Sequence, residues 1–257
     1  MQSWVGMKYR LASCLNANIL RSVGVAILCT LLLLATEKAS SGQTVDSGSF
    51  GVFSAGKRVA TETFSIHQDA NGSTVTSEFK AEAGENHAAQ SSDLQLTPSG
   101  ELKSYEWKES SPGQAHALIV PKEEFLLGRF SKNPQDKPLE QPFLLPASTS
   151  ILDDYFYVQR EVLAWKYLAT SCKQQNGVQC PLKQSTQMGT LNAHTRASAP
   201  VSVEFAGREK VNIRGSEREL IRLDLKSDVG DWTLWLDDQL KLQRLVDPAE
   251  GTEVVRD

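Results

Sequence analysis

The sequence predicts a mainly β protein: a strongly curved antiparallel sheet, a half-barrel or open barrel, wrapped on one central amphipathic α-helix. Three observations carry this. After the N-terminal segment, only Ser150–Cys172 holds a long helical pattern. Both flanking stretches break into short alternating runs punctuated by Gly, Pro, Asn and Asp, about thirteen strands in all. Hairpins dominate and long crossovers are few, so the pairing should be antiparallel and the sheet bent.

The chain begins with a basic stretch containing Lys8, Arg10 and Arg21, followed by the apolar run Val23–Ala35. A run of that length suits the hydrophobic region of an export signal and falls short of the ~20 residues of a spanning helix. Residues 1–39 are therefore expected to be a signal peptide or signal anchor, with membrane attachment through residues 23–35 as the second possibility. Residues 40–49 are small and polar and read as a flexible linker. Residues 50–257 then form a single exported β-rich domain, periplasmic or extracellular.

Residues 1–39 hold four bases (Lys8, Arg10, Arg21, Lys38) and one acid, Glu37. The remainder carries 23 bases and 30 acids, a net charge of −7. Nucleic acid needs a basic face, so it is excluded as a partner.

In the first half, Arg58–His67 runs into Asp69-Ala70-Asn71-Gly72, a hairpin signal, and Ser73–Ala83 returns. Asp93–Thr97, Glu101–Lys108, Gln114–Val120 and Phe125–Phe130 continue the series. Ser131–Pro146 contains four prolines and reads as a connector.

For the helix, Ser150 is a suitable N-cap and Asp153 and Asp154 fall in its first turn. Ile151, Tyr155, Val158, Val162, Trp165 and Ala169 recur at helical spacing, with Leu152, Phe156 and Leu163 as a neighbouring stripe. Gln159 and Lys166 project between the stripes. So wide an apolar arc suits a helix sunk into a concave sheet. Two readings stay open. The helix plugs the core with Lys166 snorkelling to the rim, or Gln159 and Lys166 mark the polar end of a ligand cavity.

Leu182–Gln187, Thr190–Ala197, Val201–Ala206, Lys210–Arg214, Arg218–Lys226, Asp231–Leu236, Lys241–Val246 and Thr252–Arg256 are the later strands. Cys172 and Cys180, separated by seven residues of polar loop, read as a disulfide clipping the helix end to the next strand.

Three patches carry a family resemblance: Gly56, Lys57, Arg58, Glu62 and Phe64; Leu152, Asp153, Asp154 and Tyr155; and Trp235, Asp237 and Arg244. The chain resembles exported bacterial proteins of unknown function with a curved β half-barrel, similar in outline to LolA-type periplasmic lipoprotein carriers. The resemblance implies that fold and an envelope location, and it brings no catalytic residues.

The hydrolase, zinc-protease, P-loop and dinucleotide motifs are absent from the sequence. His67, His87, His116 and His194 stand apart and read as polar surface or strand residues. No cofactor and no metal are expected. Trp232 and Trp235, three apart on a strand, face opposite sides. The leading expectation is non-catalytic binding of an apolar or amphiphilic ligand, a lipid or a hydrophobic partner chain, in the concavity around the helix. Its candidate residues are Tyr155, Phe156, Gln159, Leu163 and Lys166, with Trp107 and Trp235 as walls. The alternatives are a structural or assembly factor of the envelope and a cell-wall-sugar hydrolase.

Overall fold

The computed structural model describes residues 42–82, 87–173, 178–228 and 230–257. The expected export segment, with its apolar run 23–35, lies outside them. Among the described residues no helix is long and apolar enough to cross a membrane.

The first meander comprises β1 (Gln43–Ser54), β2 (Lys57–Asp69), β3 (Gly72–Ala81), β4 (Ala89–Leu96), β5 (Leu102–Ser111), β6 (His116–Lys122), β7 (Phe125–Ser131) and β8 (Leu139–Phe143). After β9 (Ser150–Ile151) comes α1 (Val158–Ser171). The second meander is β10 (Ser185–Asn192), β11 (Ala197–Ile213), β12 (Ser216–Ser227), β13 (Gly230–Leu236), β14 (Leu242–Asp247) and β15 (Thr252–Arg256).

All fifteen strands belong to one curved, open sheet in the order β8-β7-β6-β5-β4-β3-β2-β1-β15-β14-β13-β12-β11-β10-β9. Every pairing is antiparallel except β9 with β10. The two meanders meet where β1 pairs with β15, from Phe50↔Arg256 to Ser54↔Thr252. Among the described residues, β1 and β15 therefore form the middle of the sheet, and its free edges are β8 and β9. The helix lies on the inner face, its Leu163, Tyr167 and Leu168 packed in one core with Phe64, Ile66, Leu94, Val203 and Leu234. Full burial of Leu163 or Leu168 is worth about 1.5–3 kcal/mol each.

The β2–β3 hairpin turns on Gly72, whose φ is +133°. A Cβ there would stand 1.9 Å from the Leu96 carbonyl oxygen, so only glycine fits. The two strands expected at Val201–Ala206 and Lys210–Arg214 are one strand, β11, with Gly207 at a register shift inside it. A bulge absorbs the extra residue without ending the strand.

Three expectations are corrected. Residues 40–49 are not a flexible linker throughout: β1 begins at Gln43 and pairs with β2 along its length. The connector Ser131–Pro146 contains the edge strand β8, where Pro142 is tolerated because one side of the strand has no partner. The helix starts at Val158 and not at Ser150, which lies in β9. Asp153 gives α1 no cap, because its carboxylate is taken by Tyr105 and faces His194. The cap comes from β2 instead. Glu62 Oε2 accepts from Tyr157 N at 2.8 Å and Oε1 from Val158 N at 3.3 Å, while Ser77 Oγ donates to Oε1 at 2.7 Å. A buried carboxylate thus satisfies two of the amides a helix start leaves open.

The expected disulfide is present: Cys172 and Cys180 are bonded, Sγ–Sγ 2.06 Å, just past the helix.

Candidate functional site

The outward side of α1 does not fill the concavity along its whole length. Beside its later turns a cavity of about 300 Å³ remains. Its floor is Ile66 of β2, Val75 of β3 and Leu94 and Leu96 of β4; its other wall is Val162, Leu163, Trp165 and Ala169 of the helix. The β4–β5 turn, Thr97–Gly100, and Thr149–Ile151 frame the mouth. Alternation on the strands and the i, i+3, i+4 spacing on the helix turn these apolar side chains toward one another. The volume is at the small end of the range for sites that enclose a small molecule.

The floor and helix wall are apolar, while Gln68, Ser73, Thr149, Ser150 and Thr170 add polar groups to the rest of the lining; two further polar side chains, Gln159 and Lys166, come from the helix itself. Gln159 is buried; its Oε1 accepts from Asp153 N at 2.7 Å, which fixes the amide's orientation. Its Nε2 is enclosed and has no well-aligned acceptor; the group it interacts with is the Tyr105 hydroxyl. Lys166 Nζ donates to Ser148 O at 2.5 Å and to Ser150 Oγ at 3.4 Å. Burial holds its ammonium below the usual lysine range, and Glu101 pulls partly the other way. A partly desolvated cation at the lining favours a ligand bearing an acceptor oxygen or a negative charge.

Of the seven residues singled out from the sequence, Gln159, Leu163 and Lys166 meet at this cavity. The other four are elsewhere. Phe156 is fully buried in the core. Tyr155 packs its ring against Phe79 and His194, with centroids 5.1 and 4.7 Å away. Trp107 is buried, donating from Nε1 to Gln90 Oε1 at 2.7 Å and lying 3.9 Å from the His194 ring. Trp235 is on the opposite face of the sheet, in a small cluster with Val211, Ile213, Leu220 and Val255, and is no wall of the concavity. Trp232 is the inward-facing one of the pair and packs on the main core.

The sequence reading missed the polar network under the helix. His194 is not a lone surface residue. Its Nε2 is 2.9 Å from Gln90 Oε1, and its Nδ1 is 2.5 Å from Asp153 Oδ1, a close contact not aligned along an N–H bond. The Tyr105 hydroxyl donates to Asp153 Oδ2 at 2.6 Å; burial, and then the Asp153 charge, push its pKa well above the usual phenol value. Burial likewise pushes Glu62 up to about 7, against the hydrogen bonds from Ser77, Val158 and Tyr157. On the helix's other flank Glu161 is buried beside Asp46, and Arg256 and Lys241 both contact Asp46. Asp154 is exposed and accepts from Asn192 Nδ2 at 2.6 Å. The Asp237 carboxylate accepts from Gln239 N and Lys241 N and so holds the turn between β13 and β14.

The fold is similar to that of a β-barrel-like protein of a domain of unknown function, DUF1849, from Brucella abortus. The TM-score is 0.51 at 8% identity, over 82% of this chain and 93% of that chain. At that identity the likeness concerns the fold alone. No protein-family model matches the chain, and no curated protein matches it.

Proposed function

We propose that the protein is a non-catalytic binder of an amphiphilic ligand, one aliphatic chain with an oxygen-bearing head, held in the cavity between α1 and strands β2–β4. The observation that supports this most is the buried Gln159, whose Nε2 lacks a well-aligned acceptor, in the lining of a cavity whose floor is Ile66, Val75, Leu94 and Leu96. The chain would lie against Leu94, Leu96, Val162 and Leu163, and the head would meet Gln159 or Lys166. Export by the N-terminal segment, with residues 23–35 as a possible membrane attachment, belongs to the same proposal. The Cys172–Cys180 disulfide supports an oxidising compartment. A kinship in outline with lipoprotein carriers of the LolA type, read from the sequence, is part of the same proposal and adds no residue to it.

Native mass spectrometry of the protein from cells that make it, followed by titration of the delipidated protein with dodecanoate, tests the reading. A one-to-one adduct that dodecanoate replaces is expected; no adduct and no saturable binding would refute it. The second reading, an assembly factor that adds a partner strand, has one observation in its favour. Among the described residues β8 is a free edge, and its Leu139 is 58% exposed.

A further inference from the structure

Arg160 follows Gln159 on the helix, and a step of ~100° carries its side chain away from the amphiphile cavity. It is only 5% exposed. Its Nη1 donates to the carbonyl oxygens of Asp153 at 2.8 Å and Phe156 at 3.5 Å, and its Nε has no partner. The guanidinium lies 4.6 Å from the ring centroid of Trp232 and 5.2 Å from that of Tyr157. Among the described residues no carboxylate forms an ion pair with it. Glu62 is the acid close enough to feel its charge, but that carboxylate is already occupied by Ser77 and the helix amides. A buried cation answered only by carbonyls and ring faces is costly, and buried charges are normally paired.

Arg160 borders a second cavity of about 330 Å³, between the start of α1 and strands β10–β13. Leu152, Leu225 and Trp232 give it apolar walls, Asn192 and Ser198 give it polar ones, and Asp154 stands at its border. It shares no lining residue with the cavity beside Leu163.

We propose that this second cavity binds a small monocarboxylate with an apolar body. The carboxylate meets the Arg160 guanidinium, and the body lies against Trp232 and Leu225. One guanidinium balances one negative charge, and a charge-assisted bond to a planar carboxylate matches its planar geometry. The exposed Asp154 carboxylate opposes a second negative charge, which disfavours phosphate. This site rests on Arg160 alone and stands or falls separately from the amphiphile reading.

The test is calorimetric titration of the full chain with phenylacetate, alongside NMR of the Trp232 indole N–H, assigned by Trp232→Phe. Saturable one-site binding that shifts the Trp232 signal is expected. Arg160→Gln should weaken it about tenfold or more. Ser198→Trp, a change at an exposed position that fills the cavity from the sheet side, should do the same without touching the helix, and it decides the matter if Arg160→Gln does not fold. Ala169→Trp, in the other cavity, should leave it unchanged. Absence of saturable binding, or binding that survives Ser198→Trp, would overturn the site. Inorganic phosphate competing as well as phenylacetate would overturn the monocarboxylate assignment.

Discussion

Arg256 and Asp46, 210 residues apart, are joined in an ion pair at the central seam of the sheet, Nη1 lying 3.3 Å from Oδ1. The same guanidinium lies over the rings of Phe50 and Phe64, which stack at 4.7 Å. Lys241 Nζ adds a second cation 3.1 Å from Asp46. Burial works against the Asp46 charge, but hydrogen bonds from Arg256, Glu161 and Lys241 outweigh it and hold its pKa below the usual carboxylate value. Glu161 goes the other way: burial, then its contact with Asp46, push it well above the ordinary range. Charge is thus favoured on Asp46 and disfavoured on Glu161, although Arg256 Nη2 also comes within 3.6 Å of Glu161 Oε2.

The two acids should respond differently to mutation. Asp46→Ala leaves two cations at the seam without their main counter-charge and should cost roughly 3–5 kcal/mol. Glu161→Gln keeps the shape of a group whose charge burial disfavours and should cost less than about 1.5 kcal/mol. Urea unfolding at pH 7 measures both, and the opposite ranking would contradict the assignment of charge.

Glu62 gives the fold a pH dependence of definite sign. Its pKa is raised from 4.5 to about 7 by burial, so the folded state holds the proton more tightly than the unfolded chain. The stability this confers is fully present below pH 4.5 and is lost as pH rises through about 7. Wild type should therefore lose up to about 3 kcal/mol relative to Glu62→Gln between those limits. Denaturant midpoints of both proteins at several pH values check it; parallel curves would remove Glu62 as the cause.

The disulfide closes a short loop, Cys172 to Cys180, at the end of α1. Cys172→Ser with Cys180→Ser should lower stability by roughly 2–3 kcal/mol. Thermal unfolding without reductant measures the loss, and an unchanged midpoint would show that the loop is held by other contacts.

What the sequence revealed was mostly local. Asn71-Gly72 marked its hairpin, alternation marked β12, and two cysteines in a polar stretch marked the disulfide. Gln159 and Lys166 stood out because each interrupts an apolar helical arc, and both do border the cavity. The failures share one cause, partners far away in sequence. The cap of α1 is Glu62, 95 residues before Tyr157, so the helix start was placed at Ser150, where local capping chemistry pointed. Asp46 sits in a polar stretch that reads as a linker until Arg256 is beside it. Arg160 carries no local sign of burial. For Trp232 and Trp235, period-two alternation says that they face opposite ways, yet it does not say which way is in.

Ala169 is exposed and lies at the rim of the first cavity. Ala169→Trp should obstruct that cavity and abolish dodecanoate binding while changing stability by no more than about 0.5 kcal/mol. Calorimetry against the melting curve separates the two effects. Undiminished binding would place the ligand elsewhere.

The most direct measurement is photo-crosslinking of the purified chain with an acyl probe carrying a diazirine on its alkyl tail, mapped by peptide sequencing. Labels on Leu94, Leu96, Val162 and Leu163, competed away by dodecanoate, are the predicted result. Labels confined to the exposed Leu139, Leu144 and Leu182, or none that dodecanoate displaces, would contradict the account.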